Sequence, residues 1–178
     1  MGIEKEHPEV KLVIPVLYSD INLYNIAKKK LISLYKEIDF ESEHFIFDFT
    51  DYYNEEMGTP IYRVFLSFKR LIDPLKLVNI KRQTNRIEKK LSVNNKRKVN
   101  LDPGYLTLSK FILATTKDQQ HRIYTGKGIY EEITLFYRNK CWQEHEWTYP
   151  DYRSQRYKEI LLKIREIYRK NISDGDFF

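Results

Sequence analysis

Ile61-Tyr62-Arg63-Val64-Phe65-Leu66-Ser67-Phe68 reads as a strand with two unlike faces. Successive side chains of a strand alternate. Tyr62, Val64, Leu66 and Phe68 therefore share one side, and Ile61, Arg63, Phe65 and Ser67 the other. One face suits a core, and the other brings an arginine and a hydroxyl to a sheet. Upstream, His44 to Thr50 alternates as well, with Phe45, Phe47 and Phe49 opposite His44, Ile46, Asp48 and Thr50. Gly58-Thr59-Pro60 supplies the turn between the two segments.

Working outward, Lys11 to Tyr18 reads as a buried strand, and Pro15 argues against a fully central place for it. Ser19 or Asp20 can cap a helix running to about Ile38. Its apolar stripe is Tyr24, Ala27, Leu31, Leu34 and Ile38. Downstream, Asp73-Pro74 opens a second helix, with Asp as cap and Pro in the first turn. That stripe is Leu77, Ile80, Thr84, Ile87 and Leu91, and the loop Ser92 to Asn95 ends it. Lys98 to Asp102 makes a short strand, with Val99 and Leu101 opposite Asn100 and Asp102. The order strand, helix, strand, strand, helix, strand predicts an α+β fold with a ferredoxin-like βαββαβ core over residues 11–102.

A C-terminal hairpin and helix extend that core over residues 103–171. Pro103-Gly104 is a turn, and Thr107 to Thr116 reads as a short helix with Leu108, Phe111 and Ile112 inward. His121 to Thr125 and Ile129 to Arg138 form a hairpin across Gly126-Lys127-Gly128. A last helix runs from about Ser154 to Asn171 on the stripe Tyr157, Ile160, Leu161, Ile164 and Tyr168. Residues 172–178 form a tail, frayed from Asp174 to Phe178.

A chain of 178 residues, 42% hydrophobic and 31% charged, fits one domain over residues 1–178 with a real core. The single Cys141 excludes an intrachain disulfide and fits a reducing compartment. Met1 to Glu9 is charged and lacks the apolar stretch of a signal peptide. Leu12 to Tyr18, the longest apolar run, is far short of a membrane span. The expected location is cytoplasmic, away from membranes. The net charge of +6 is uneven: residues 69–99 carry eleven basic side chains against Asp73 and Glu88.

Several segments combine polar, aromatic and turn-forming residues: Y-Y-N-E-E-M-G from Tyr52, T-N-R-I-E from Thr84 and N-L-D-P-G-Y-L from Asn100. K-D-Q-Q-H-R-I-Y from Lys117, G-I-Y-E-E-I-T-L from Gly128 and W-T-Y-P-D-Y from Trp147 complete the set. Together these segments resemble the bacterial domain-of-unknown-function 4416 family, over about Lys11 to Tyr168. Pro15 departs from the family's first strand. The resemblance implies a mostly prokaryotic single-domain protein and brings no reaction and no cofactor with it.

The polar faces carry the functional expectation. Asp48, Arg63, Ser67, Asn100 and Asp102 fall opposite apolar strand faces and converge away from the first two helices. Lys117, Asp118, His121 and Arg122 belong to the segment that folds back over them. Acids, bases and an imidazole in one cleft suit a small anionic, phosphorylated or carboxylate ligand. His121 is the candidate acid–base group, since an imidazole exchanges protons near neutral pH. Asp102, Asp118 or Glu132 can orient it. Arg63, Lys117 and Arg122 are the candidate anion holders, because the guanidinium fork matches carboxylate and phosphate. The bland alternative is a set of ion pairs, to Glu131, Glu132 or Asp151, that docks the C-terminal half on the sheet. Tyr149 and Tyr152, with Trp147, either wall a pocket or pack in the core.

A competing expectation rests on the basic segment 76–98. Arg82, Arg86, Lys89 and Lys90 lie opposite the apolar stripe, and with Lys96, Arg97 and Lys98 they form a ridge able to track a phosphate backbone, as in an RNA-binding or ribosome-associated protein. A solvated helix face explains the same pattern. A third expectation is a protein-interaction module. Three mechanisms are excluded: no phosphate-binding G-x-x-x-x-G-K-[ST] loop is present, no G-x-G-x-x-G loop is present, and Cys141 with His145 is too few ligands for zinc. No metal ligand set is expected.

Overall fold

Ten strands join into one antiparallel sheet, and four α-helices accompany them, among the described residues 2–175 of this computed structural model. In chain order they are β1 (Lys11–Tyr18), α1 (Ile21–Tyr35), β2 (Ile38–Glu41), β3 (Phe45–Ile46), α2 (Asn54–Met57) and β4 (Tyr62–Phe68). Then come α3 (Leu77–Lys90), β5 (Val99–Leu101), β6 (Gly104–Leu106), β7 (Lys110–Thr115), β8 (Ile123–Gly126), β9 (Ile129–Arg138), β10 (Cys141–Glu144) and α4 (Gln155–Gly175). The strand order is β10-β9-β7-β6-β1-β4-β2, with β3 on β4, β5 on β1 and β8 on β9. The α+β class holds. The sheet is larger than a ferredoxin-like core, because it runs on past β1 through β6, β7, β9 and β10. Among the described residues no helix is long and apolar enough to cross a membrane.

The alternation along β1 and β4 decides which layer lies where. Leu12, Ile14 and Val16 of β1 and Val64, Leu66 and Phe68 of β4 share a core with Tyr24, Ala27 and Leu31 of α1 and with Leu77, Ile80 and Ile87 of α3. Complete burial of a side chain such as Leu77 stabilises by about 1.5–3 kcal/mol. The opposite sheet face, through Val13, Phe65, Phe111 and Leu135, packs on Tyr157, Ile160, Leu161 and Ile164 of α4.

Capping follows the side-chain chemistry. The Asp20 carboxylate accepts from the Asn22 and Leu23 amides and starts α1. Asp73 accepts from the Leu75 amide and opens a single 3-10 turn, Pro74–Lys76, that runs into α3.

Five expectations are corrected. Residues 107–116 are not a helix. Phe111 and Leu113 face α4 while Ile112 and Ala114 face the other core, a period of two that makes β7 a strand buried on both sides. Helix α1 ends at Tyr35, where Lys36 turns out at φ 72°, and Ile38 starts β2 rather than ending the stripe. Leu34 is exposed. Only Phe45–Ile46 of the segment 44–50 pairs as a strand, and Asp48 lies exposed in the following loop. The hairpin at Gly126-Lys127-Gly128 is present, but a further strand, β10, follows across Asn139-Lys140, both at positive φ. Helix α4 continues to Gly175, past the expected tail start; the rest of that tail, residues 176–178, lies outside the described residues.

Pro15 sits in a central strand after all. β5 and β6 lie end to end along one flank of β1, facing Val16–Tyr18 and Lys11–Val13 respectively. The Pro15 carbonyl accepts from the Asp102 amide at 3.0 Å in the gap between them. The N and O of an extended residue point to the same side, so the missing N–H falls at that junction and costs no β1–β4 bond.

The junction is also where the sheet forks. Gly104 begins β6 so close to β7 that a Cβ there would collide with the Ile112 carbonyl oxygen. β6 thus turns toward β7 while β5 keeps an edge without a strand partner. Two side chains of α3 complete that edge: Glu88 Oε1 accepts from the Leu101 amide at 2.6 Å, and Lys81 Nζ donates to the Leu101 carbonyl at 3.0 Å. Buried backbone groups require such partners.

Candidate functional site

A cavity of about 670 Å³ fills the fork. That volume is ordinary for a small-molecule site. Its floor comes from Arg63 of β4, Asn100 of β5 and Asp102, its sides from α3 and the end of β7, and its mouth from the loops around Tyr52 and Tyr149. Five basic and four acidic residues line it, among the described residues.

Most of these charges are committed to one another. Arg97 forks onto Glu56 with two bonds of 2.7 Å and donates to Asn100 Oδ1 at 2.8 Å. Its pairing with Glu56 holds the guanidinium above its ordinary pKa and the Glu56 carboxyl below its own. Arg122 donates from Nε to Glu132 at 2.6 Å, from Nη1 to the Lys117 carbonyl at 3.0 Å and from Nη2 to the Tyr149 hydroxyl at 2.9 Å. Burial pushes the carboxyls of Glu88 and Asp151 up, against nearby Lys81 and Arg63 respectively.

Three groups are not used up. Arg63 is 2% exposed; its Nε donates to the Tyr157 hydroxyl at 2.9 Å and its Nη2 to Asp151 at 3.2 Å. Its Nη1 is buried with no hydrogen-bond partner and stands 3.6 Å from Asp102 Oδ2. Asp102, its side chain 28% exposed, accepts from Asn100 Nδ2 at 2.7 Å through Oδ2 only; its Oδ1 is 3.8 Å from Lys81 Nζ, beyond hydrogen-bond reach. Lys117 forms no ion pair among the described residues, and its Nζ lies 3.2 Å from the Tyr52 hydroxyl and 4.8 Å from the ring centre. A buried donor without an acceptor is rare in a native structure and calls for a partner.

The expected site residues divide in two. Arg63, Asn100, Asp102, Lys117, Arg122 and Glu132 come together around the cavity. His121 does not line it. Its Nε2 bonds Glu132 at 3.0 Å, and its ring stacks on Trp147 at 5.3 Å, so it stands behind the carboxylate that Arg122 also uses. Asp118 is exposed and is likewise not among the lining residues. Ser67 is buried elsewhere, on Asp39. The ion pairs Arg63–Asp151 and Arg122–Glu132 are those that the docking alternative anticipates. Tyr149 and Tyr152 wall the cavity, whereas Trp147 stacks between His121 and His145.

Arg97 leaves the basic ridge and joins the cavity. Arg86, Lys89 and Lys90 stay exposed, and Arg82 is half-buried. Lys81 and Glu88 are site residues that sequence reasoning passed over. Lys81, Thr84 and Glu88 recur at i, i+3 and i+7, a second buried stripe beside the apolar one, and that spacing was the available signal. Among the described residues no group of three or more His, Cys, Asp or Glu is placed to hold a metal ion.

Comparisons with curated proteins and with solved structures return no match. One family model, described as Domain of unknown function (DUF4416), matches residues 8–168. With that match spanning nearly the whole chain, from before β1 to the Tyr168 turn of α4, the protein belongs to the DUF4416 family.

Proposed function

We propose that the protein binds a small anionic ligand, phosphorylated or carboxylate-bearing, in the cavity at the fork. The carrying observation is a cavity lined by five cationic side chains, of which exposed Lys117, its Nζ donating to the Tyr52 hydroxyl at 3.2 Å, forms no ion pair among the described residues. An acidic oxygen supplies the counter-charge that Lys117 lacks among those residues, and charge-assisted bonds are about twice as strong as neutral ones. If acid–base chemistry accompanies binding, Asp102 is the group in contact with the ligand, and His121 acts only through Glu132. The order β5-β1-β4-β2, crossed by α1 and α3, supports reading this part of the chain as a ferredoxin-like unit that carries the site.

Thermal melting against nucleotides, sugar phosphates, carboxylates and divalent metals at fixed salt tests the reading. A ligand at about 100 times its dissociation constant stabilises by about 2.7 kcal/mol and raises the midpoint. Lys117→Gln, at an exposed position without an ion pair, is expected to melt like the parent and to lose most of that shift. A panel of phosphates and carboxylates that moves neither protein sinks the proposal.

A second reading has its own support. α1 holds no acidic residue, and the only one in α3, Glu88, is buried in the cavity wall. The outer surface of this helix pair therefore carries Lys29, Lys30, Arg82, Arg86, Lys89 and Lys90 with no acid of either helix among them, and no ion pair holds any of the six among the described residues. RNA bound there would dissociate steeply with salt, and jointly neutralising Arg82, Arg86 and Lys89 would flatten the slope. Salt-independent RNA binding speaks against it.

A further inference from the structure

Three unlike chemistries meet in the cavity, and together they specify more than an anion. One end, where β7 runs out, offers a cation and hydroxyls. Thr115, Thr116 and Lys117 line the cavity there, the Thr115 hydroxyl accepts from the Lys117 amide at 3.2 Å, and Lys117 has no carboxylate partner among the described residues. The floor offers an acceptor: Asp102, its side chain 28% exposed, with Oδ1 making no hydrogen bond among the described residues and lying 3.8 Å from Lys81 Nζ, beside the buried Arg63 guanidinium. A phosphate is badly placed on that floor, since it would meet the Asp102 carboxylate. Hydroxyl groups, which both accept and donate, fit it. The mouth offers rings. Tyr149 is 43% exposed and Phe49 38%, whereas the ring of Tyr52 carries the Lys117 ammonium 4.8 Å from its centre. Large aromatic rings left in water around one opening mark a surface that waits for a flat partner.

We propose that the cavity takes a nucleoside monophosphate, with its phosphate at Thr116 and Lys117, its ribose hydroxyls on Asp102, and its base against the ring of Tyr149. This rests on the anion-binding reading above and names the ligand class for that site. The assignment of parts follows from charge. Lys117, among the described residues the only cavity cation free of carboxylates, takes the dianion, a carboxylate accepts from sugar hydroxyls as it does in dinucleotide sites, and an exposed tyrosine takes the π-face. No reaction is assigned.

The test is calorimetric titration of the wild-type protein with four nucleoside monophosphates, and with the parts of one of them: adenosine, ribose 5-phosphate and 2′-deoxyadenosine 5′-monophosphate. At least one nucleotide is expected to bind about tenfold or more tighter than either adenosine or ribose 5-phosphate, because each part lacks one set of contacts. The deoxynucleotide is expected to bind more weakly than its ribose counterpart, and Asp102→Asn to narrow that gap. Lys117→Gln is expected to bring the nucleotide down to the level of adenosine. Because the comparison among ligands uses the wild-type chain alone, it stands even if Asp102→Asn folds poorly. Ribose 5-phosphate binding as tightly as any nucleotide overturns the nucleotide assignment and leaves the anion site in place. A carboxylate that binds while every nucleotide fails does the same. Failure of every phosphate and carboxylate overturns both.

Discussion

The face of the sheet that meets α4 buries two charged clusters, and they are built to opposite ends. At one end Lys11 of β1, fully buried, pairs with Asp39 and donates to Asn171 of α4 at 2.8 Å, while Ser67 of β4 donates to the other Asp39 oxygen at 2.6 Å. Every polar side chain there finds its complement, and the cluster bolts β1, β2, β4 and α4 together. At the other end Arg63 meets Tyr157 and Asp151 and then stops, with one nitrogen unbonded and Asp102 half committed beside it. Phe65 lies between Arg63 and Ser67 on β4 and separates the two. A closed network is explained by docking alone. An open one beside a cavity of about 670 Å³ asks for a ligand.

Truncation at either end is expected to have the largest effect and to look alike in stability. Lys11→Ala strands Asp39, and Arg63→Ala strands Asp151; loss of one partner of a buried pair costs about 3–5 kcal/mol. Lys11→Ala belongs at the lower end, since Asp39 keeps 15% exposure and water can reach it. Urea unfolding measures both. The clusters part company on ligand. The phosphate ligand that raises the wild-type midpoint should raise that of Lys11→Ala equally and that of Arg63→Ala much less. Arg63→Lys keeps a charge and loses the fork, so it serves if the alanine variant does not fold. Equal loss of the ligand shift in the Lys11 and Arg63 variants would erase the distinction between the ends.

Much of this is legible in the sequence, and the rest is not, for physical reasons. Helix α3 and its stripe, the Asp20 and Asp73 caps, strand β4 and the β8–β9 hairpin rest on local rules of period, capping and turn chemistry. β7 misled because a strand buried on both faces shows no alternation of polarity, and Leu108, Phe111 and Ile112 mimic a helical spacing. The meeting of Arg63, Asn100 and Asp102 follows from strand alternation, since each sits opposite apolar neighbours. The absence of His121 from the cavity wall does not, because it depends on two long-range contacts, the imidazole's stacking on Trp147 and its bond to Glu132. Arg97 looked like ridge because its neighbours Lys96 and Lys98 are basic. Its fate was decided by Glu56, forty-one residues away.

The smallest expected effect sharpens the same contrast through pH. Glu88 closes the open edge of β5 at 2.6 Å from the Leu101 amide, and burial holds its carboxyl above the ordinary 4.5. A raised acid binds its proton more tightly folded than unfolded. Its contribution to stability is therefore complete below about 4.5 and declines as pH rises through the folded value. Glu88→Gln keeps an oxygen for the Leu101 amide and removes the titration. Relative to wild type, the variant should accordingly gain stability as pH climbs from below 4.5 through that folded value, and then hold level. At the closed end, burial pulls the Lys11 ammonium below 10.5, against the raising influence of Asp39. Unfolding free energies of the two proteins across that window measure the gap. A constant difference would mean that Lys81 and Arg97 cancel the burial of Glu88, and that the cavity's acids are as settled as the closed cluster's.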